Sequence, residues 1–200
     1  MEDELDQLMI ESLERSAVSK HHIAKMFESL ASVKRVVLEY VGSLRDVEND
    51  APVPHQVTVS PFGSIISGVL SSTSDLDVCC EGLVKPFLAS SASQIKKSTQ
   101  KKRKRHPKLA PMYQGLLRLF RRRIDGNLTN LTRLTIPLIK LHDVRTGIDV
   151  DVTFENGLGI FKSHFLRACA LADARSRQLI LLVKNWAKKY VIPVYFTLWM

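Results

Sequence analysis

Near the N-terminus, apolar residues recur at helical intervals. Leu5, Leu8, Met9 and Leu13, then Ile23, Met26, Phe27, Leu30 and Val33, alternate with polar residues and predict helix over 3–43. The run Asn49-Asp-Ala-Pro-Val-Pro-His breaks the pattern and reads as a linker. A short β-prone stretch, Gln56–Val59, leads into Ser60-Pro-Phe-Gly-Ser, then a helical turn over 64–72 and a second strand at Leu76–Cys80. Met112, Leu116, Leu117 and Phe120 predict a helix over Pro111–Arg123. Two strands, Leu134–Leu141 and Ile148–Phe154, flank Asp143-Val-Arg-Thr-Gly147, a turn sequence, and together read as a hairpin. Two helices, Phe161–Cys169 and Ser176–Tyr190, follow, separated near Asp173.

Composition narrows the class. With 45% hydrophobic residues the chain can bury a core, and its 200 residues suit one domain, or one domain with part of a second. A net charge of +9 favours polyanionic partners. Much of that charge is local: between Ile95 and Arg123 there are twelve Lys or Arg and no acid. Lys96–Lys108 reads as a solvated loop, and its Lys101–Arg105 run suits nucleic-acid phosphates, a nuclear import signal or a plain solvated stretch. Few aromatics interleave with it, so it carries no base-stacking surface. Cys79, Cys80 and Cys169 form no even disulfide framework, and adjacent Cys79 and Cys80 point to opposite faces of a strand. The acidic start lacks an apolar signal segment and no run matches a membrane span. These features together predict a reduced, intracellular protein, in the nucleus or cytoplasm with the mitochondrion open. The Asn127 and Asn130 sequons carry no meaning there.

Chemistry concentrates in Phe62-Gly-Ser-Ile-Ile-Ser-Gly-Val-Leu-Ser-Ser-Thr-Ser-Asp75-Leu-Asp77. Gly63 permits a tight strand-to-helix turn, where the Ser64 hydroxyl and nearby N–H groups can meet a phosphate. Asp75 and Asp77 share a strand face, about 6–7 Å apart along the chain. Carboxylates so placed repel unless a cation lies between them, and hard oxygen ligands suit Mg²⁺. An isolated Asp-x-Asp is a common surface pattern; its combination with the upstream Gly-Ser and a later acidic strand is specific. That later strand, Gly147-Ile-Asp149-Val-Asp151-Val-Thr-Phe, offers either Asp149 or Asp151 as a third carboxylate.

Gly63-Ser64, Asp75-Leu-Asp77, Ile136-Pro-Leu-Ile-Lys140, Asp151-Val-Thr-Phe and Leu182-Val-Lys184-Asn-Trp186-Ala-Lys188 together resemble the poly(A) polymerase/terminal uridylyltransferase family, within the DNA polymerase β-type nucleotidyltransferases. The likeness runs in order from Val57 to Tyr190. It implies an α/β fold, a palm with a small mixed sheet and helices on one face, plus a partial helical domain. It selects Asp75, Asp77 and Asp151 as the metal-binding catalytic triad for Mg²⁺ or Mn²⁺, leaving Asp149 a solvated strand residue. It also implies nucleotide contacts from Gly63 and Ser64, and contacts to the β- and γ-phosphates from Lys184 and Lys188. Trp186 is read as core.

The expected organisation is N-terminal helices over 1–48 grouped with the helical domain, a palm over 49–160 with a basic insertion at 95–123, and the start of a truncated central helical domain over 161–200. Lys162-Ser163 stands where the family commonly has an Asn-Thr or Asn-Ser pair. The expected partners are a nucleoside triphosphate and RNA, the latter through 96–123, with UMP or AMP added to RNA 3′ ends by two-metal-ion catalysis. Two alternatives stand beside this: a nucleotidylyltransferase with a non-RNA acceptor, and an inactive palm that binds RNA or a partner.

Overall fold

A computed structural model describes residues 17–44, 56–84 and 109–189, with Gln7, Ile10, Glu11, Leu13 and Glu14 before them. The solvated-loop reading of Lys96–Lys108, the linker at 49–55 and the segment after Lys189 lie outside the described residues.

Helix α1 (Lys20–Gly42) starts where Ser19 caps it, its side chain accepting from the backbone N–H of His22. The continuous helix predicted over 3–43 is therefore interrupted at Ala17–Ser19. Met26, Ser29, Val33, Val36, Val37 and Val41 form its buried stripe. Phe27, counted with the apolar stripe in the sequence, sits one step around the helix and is exposed.

Five strands follow: β1 (Thr58–Phe62), β2 (Leu76–Glu81), β3 (Gly126–Leu131), β4 (Leu138–Asp143) and β5 (Ile148–Phe154). They form one mixed sheet in the order β1-β2-β5-β4-β3. Strands β2 and β5 are parallel; the other neighbours are antiparallel. β1 begins two residues later than its sequence signal and runs through Pro61, which an edge strand tolerates because one of its sides has no ladder to donate to. β3 has no counterpart in the sequence reading: Asn127, Thr129 and Asn130 mask a strand whose burial alternates only weakly. Leu134–Pro137 belong to the turn and bend before β4. The β4–β5 hairpin closes as its sequence predicts, with Gly147 at φ +70° and its N–H donating to the Asp143 carbonyl at 2.7 Å.

Helix α3 (Ala110–Arg123) packs beside α1 beneath the sheet. Met26, Val33, Val36, Val37 and Val41 of α1 and Met112, Leu116 and Phe120 of α3 share one core with Leu76, Val78, Cys80, Ile139, Leu141, Val150 and Val152. Residues 20–42, grouped with the helical domain in the expected organisation, pack on this sheet. Apart from Ser29 the buried α1 stripe is apolar, and the sheet supplies the matching face. The rear half of the basic 95–123 segment is likewise a core helix, with Arg118 and Arg121–Arg123 turned outward. At the far end of the hairpin, buried Asp143 accepts from Ser29 Oγ at 3.0 Å and from the Arg145 N–H at 3.2 Å. Thr146 Oγ1 lies 2.6 Å from Ser29 Oγ in the same network.

A four-residue helix α2 (Ser64–Ser67) joins β1 to the loop before β2. Helices α4 (Gly157–Ala172) and α5 (Ala174–Lys189) complete the described chain, with Asn156 capping α4 by accepting from the Gly159 N–H at 3.1 Å. Trp186 is corrected from core to surface: it is 55% exposed, because α5 rests mainly on α4 and buries Leu181 on its inner side. No helix among the described residues is long and apolar enough to cross a membrane.

Candidate active site

Alternation along each strand sorts the side chains. Leu76, Val78, Val150, Val152, Ile139 and Leu141 enter the core, so Asp77, Asp151 and Lys140 point to the opposite face. The parallel pairing of β2 with β5 sets Asp77 directly opposite Asp151, and the antiparallel pairing of β4 with β5 sets Lys140 opposite Asp151 on the other side. Asp75 precedes β2 by one residue, at the exposed end of the same row. Asp77, Lys140 and Asp151 therefore converge on three adjacent strands, with Asp75 at the entrance to β2.

Asp149 shares that face but lies two residues back along β5. It is exposed and pairs with His142 Nδ1 at 2.7 Å, away from Asp77. The geometry itself thus separates the two acids that strand alternation could not.

Electrostatics bind the cluster. Burial pushes the Asp77 carboxyl up to about 7, and the charges of Asp151 and Asp75 push the same way; Lys184 and Lys140 pull it down. The Asp151 carboxyl is also raised, chiefly by burial, against the opposing pull of Lys140. Lys140 Nζ stands 3.0 Å from Asp151 Oδ2. As they stand, no three His, Cys, Asp or Glu side chains among the described residues close on a common ion. The donor chemistry nevertheless fits a hard divalent cation: carboxylate oxygens only, two of them paired in register, with mutual repulsion that a cation would relieve.

Gly63 brings the β1–α2 turn against this cluster. It adopts φ +66°, and a Cβ built there would overlap Asp77 Oδ2, so both backbone and space require glycine. Its N–H donates to Ser163 Oγ at 2.7 Å, and Ser163 in turn donates to the Gly159 carbonyl at 2.8 Å. Ser163, in the place where the family commonly has the second residue of its Asn-Thr or Asn-Ser pair, is buried and ties α4 to the Gly63 turn. Ser64 follows at the first position of α2, half-buried beside Gly63.

Lys184 reaches back from α5. Its Nζ donates to the Val69 carbonyl at 3.2 Å and to Ser74 Oγ at 2.8 Å, which anchors the loop leading into Asp75 and Asp77. Ser74 also accepts from the Ser71 N–H, so the loop is tied at both ends. The Lys188 side chain lies outside the described residues.

Three contributors were absent from the sequence reading as site residues. Lys140 was legible as part of a strand, and its place beside Asp151 needs the β4–β5 register. Ser163 enters the sequence reading only as part of the Lys162-Ser163 departure, and its bond to Gly63 needs α4 packed against the β1 turn. Glu155, at φ 52°, accepts from the Leu83 N–H at 3.1 Å and holds the chain leaving β2 beside the end of β5.

Comparison with known proteins places this geometry. The family described as "Poly(A) RNA polymerase, mitochondrial-like, central palm domain" matches residues 5–170. Protein HESO1 of Arabidopsis thaliana is 31% identical over 153 residues, covering 76% of this chain and 27% of HESO1. Terminal uridylyltransferase cid1 of Schizosaccharomyces pombe is 29% identical over 144 residues, covering 68% of this chain and 30% of that protein. The fold superposes on a Cid1 poly(U) polymerase structure with MgGTP bound at a TM-score of 0.63 and 20% identity, covering 94% of this chain and 49% of that one. The chain thus spans less than a third of these two curated relatives and about half of that solved chain. With its mixed five-stranded sheet and an acidic row across β2 and β5, the chain belongs to the poly(A) polymerase/terminal uridylyltransferase family of nucleotidyltransferases and carries the family's palm.

Proposed function

We propose that this chain is the palm of a template-independent RNA nucleotidyltransferase that adds UMP or AMP to RNA 3′ ends. One observation carries the reading: the parallel register that sets Asp77 against Asp151, with Asp75 at the end of the same row. The relatives support it, since Cid1 is named as a terminal uridylyltransferase and GLD2 of Danio rerio as a poly(A) RNA polymerase. Solved Cid1 structures are described with MgGTP, with a UTP analogue and with the short product ApU. In this reading α1 and residues 49–160 form the palm, and 161–200 begin the central helical domain.

The reaction would join the RNA 3′-hydroxyl oxygen to the α-phosphorus of a nucleoside triphosphate and break the bond to the β-phosphate oxygen, releasing pyrophosphate and the hydroxyl proton. Bound Mg²⁺ or Mn²⁺ would supply Lewis acidity, favouring the ionised 3′-oxygen and neutralising the triphosphate. Asp75, Asp77 and Asp151 would hold it. The buried strand floor beneath Asp77 excludes water from one side, which strengthens the electrostatic attraction there. The Gly63-Ser64 turn would meet the triphosphate. Lys184, on α5 and bonded to the loop before Asp75, would face its β- and γ-phosphates together with Lys188. The basic stretch 96–123 would bind RNA phosphates, with the salt sensitivity such contacts bring.

Primer extension tests this directly. A labelled RNA is offered each of the four nucleoside triphosphates with Mg²⁺ or Mn²⁺. Extension with UTP or ATP that disappears in Asp75→Ala and Asp77→Ala is the expected result. Equal extension in those variants would remove the site assignment, and silence with every nucleotide would favour a palm that binds without turnover.

A further inference from the structure

Lys140 is the cation that the strand pairing delivers into the acidic row. It sits on β4 directly opposite Asp151, its Nζ 3.0 Å from Asp151 Oδ2, and its charge also acts on Asp75 and Asp77. The second nearby cation, Lys184, is turned into the loop, where Val69 and Ser74 accept from it. Lys140 is different in kind: its side chain is 47% exposed while that of Asp151 is 19% exposed. The ammonium therefore stands at the mouth of the site, on a flexible stem, with room to swing toward solvent.

We propose that Lys140 is a positioning residue and resident counterion: it holds Asp151 beside Asp77 while no divalent ion is bound, and competes with that ion for the Asp151 carboxylate. The competition half rests on the metal-binding reading of the site given above; the counterion half does not.

The argument is one of charge and geometry. Asp75, Asp77 and Asp151 meet in one row, Lys140 lies directly against Asp151, and the charge of Lys184 also acts on Asp77. Without Lys140, Asp75, Asp77 and Asp151 would repel across a partly buried surface with less compensation. With Lys140 present, one Asp151 oxygen is engaged and a positive charge stands where a divalent ion would approach. An ion arriving alone meets that repulsion. An ion arriving with a triphosphate brings negative charge that attracts the ammonium and offers it another partner. Lys140 thereby biases the site toward the metal–nucleotide complex over the bare metal.

Two measurements on the full chain decide it. Mn²⁺ alone is titrated calorimetrically into wild type, Lys140→Met, Lys140→Arg and Asp77→Asn. Lys140→Met is expected to bind Mn²⁺ about tenfold more tightly than wild type, with Lys140→Arg close to wild type and Asp77→Asn weakened. A Lys140→Met affinity equal to or below that of wild type would overturn the competition. Should wild type, Asp77→Asn and Lys140→Met all fail to bind Mn²⁺, the metal reading falls, and the competition with it. Thermal melts in EDTA then test the counterion half by themselves. Lys140→Met should melt lower than wild type, and adding Asp151→Asn should recover part of the loss, a coupling that a purely structural role for the lysine stem would not show. Additive losses would overturn the pairing.

Discussion

Gly63 and Asp77 are packed so closely that no side chain can stand between them: a Cβ on Gly63 would overlap Asp77 Oδ2. The contact joins the turn after β1 to the central acid of β2, two segments that run antiparallel at the sheet edge with Phe62 opposite Asp77. It makes the shape of the turn and the direction of the carboxylate one feature.

Gly63→Ala should therefore abolish nucleotidyl transfer while the protein still folds. The methyl group displaces Asp77, and φ +66° with ψ −141°, a region essentially confined to glycine, adds about 1–3 kcal/mol of backbone strain. We expect at least a hundredfold fall in kcat/KM in the extension assay, with a small drop in Tm. Wild-type turnover in this variant would mean that Asp77 has another working position.

Asp77→Asn should destroy activity and yet stabilise the metal-free protein. Burial, Asp151 and Asp75 raise the Asp77 carboxyl to about 7, so the folded state holds its proton more tightly than the unfolded chain does. The stability this group contributes is complete below about pH 4 and is lost as the pH rises through 7. In EDTA at pH 8, Asp77→Asn is expected to gain about 0.5–2 kcal/mol, as removing a repelled functional charge commonly does. Denaturant melts of both proteins at pH 5 and pH 8 check it, with the gap wider at pH 8.

Asp143 tests the fold away from the chemistry. Its buried carboxylate is met by Ser29 and by the Arg145 backbone, linking α1 to the β4–β5 turn. Asp143→Ala leaves those donors without their acceptor and should cost about 2–4 kcal/mol. Ser29→Ala should cost about 1–2 kcal/mol. Urea melts that shift by less than half of this would show the network to be dispensable.

Cysteine labelling offers an independent check on burial. Cys79 and Cys80 are both fully buried, on opposite faces of β2, and burial raises both thiols above their ordinary range. Cys169 on α4 is partly exposed. Iodoacetamide at pH 8 should modify Cys169 first, and Cys79 and Cys80 only as the protein unfolds. Equal early labelling of all three would contradict the β2 placement.

Much of this was legible locally. Period-two alternation identified β2 and β5 and put Asp77, Asp149 and Asp151 on strand faces, with Asp75 one residue before β2. Helical spacing identified α3 through Met112, Leu116, Leu117 and Phe120, and Asp143-Val-Arg-Thr-Gly147 closed the hairpin as turn chemistry predicts. β3 escaped because its Asn and Thr residues are half-exposed, so no apolar face announces it. Trp186 was misplaced because residue type says nothing of whether a neighbour covers a helix face.

By itself, then, the sequence determined the secondary elements with strong periodicity, the Gly-Ser turn and which residues are acids on strands, since these depend on neighbours along the chain. Only the tertiary structure decided that β2 lies parallel beside β5, that Asp151 meets Asp77 while Asp149 pairs with His142, and that Lys140 comes to rest against Asp151. Strand order and register arise from burying α1 and α3 against one sheet face, a contact between segments far apart in the chain that no local pattern encodes.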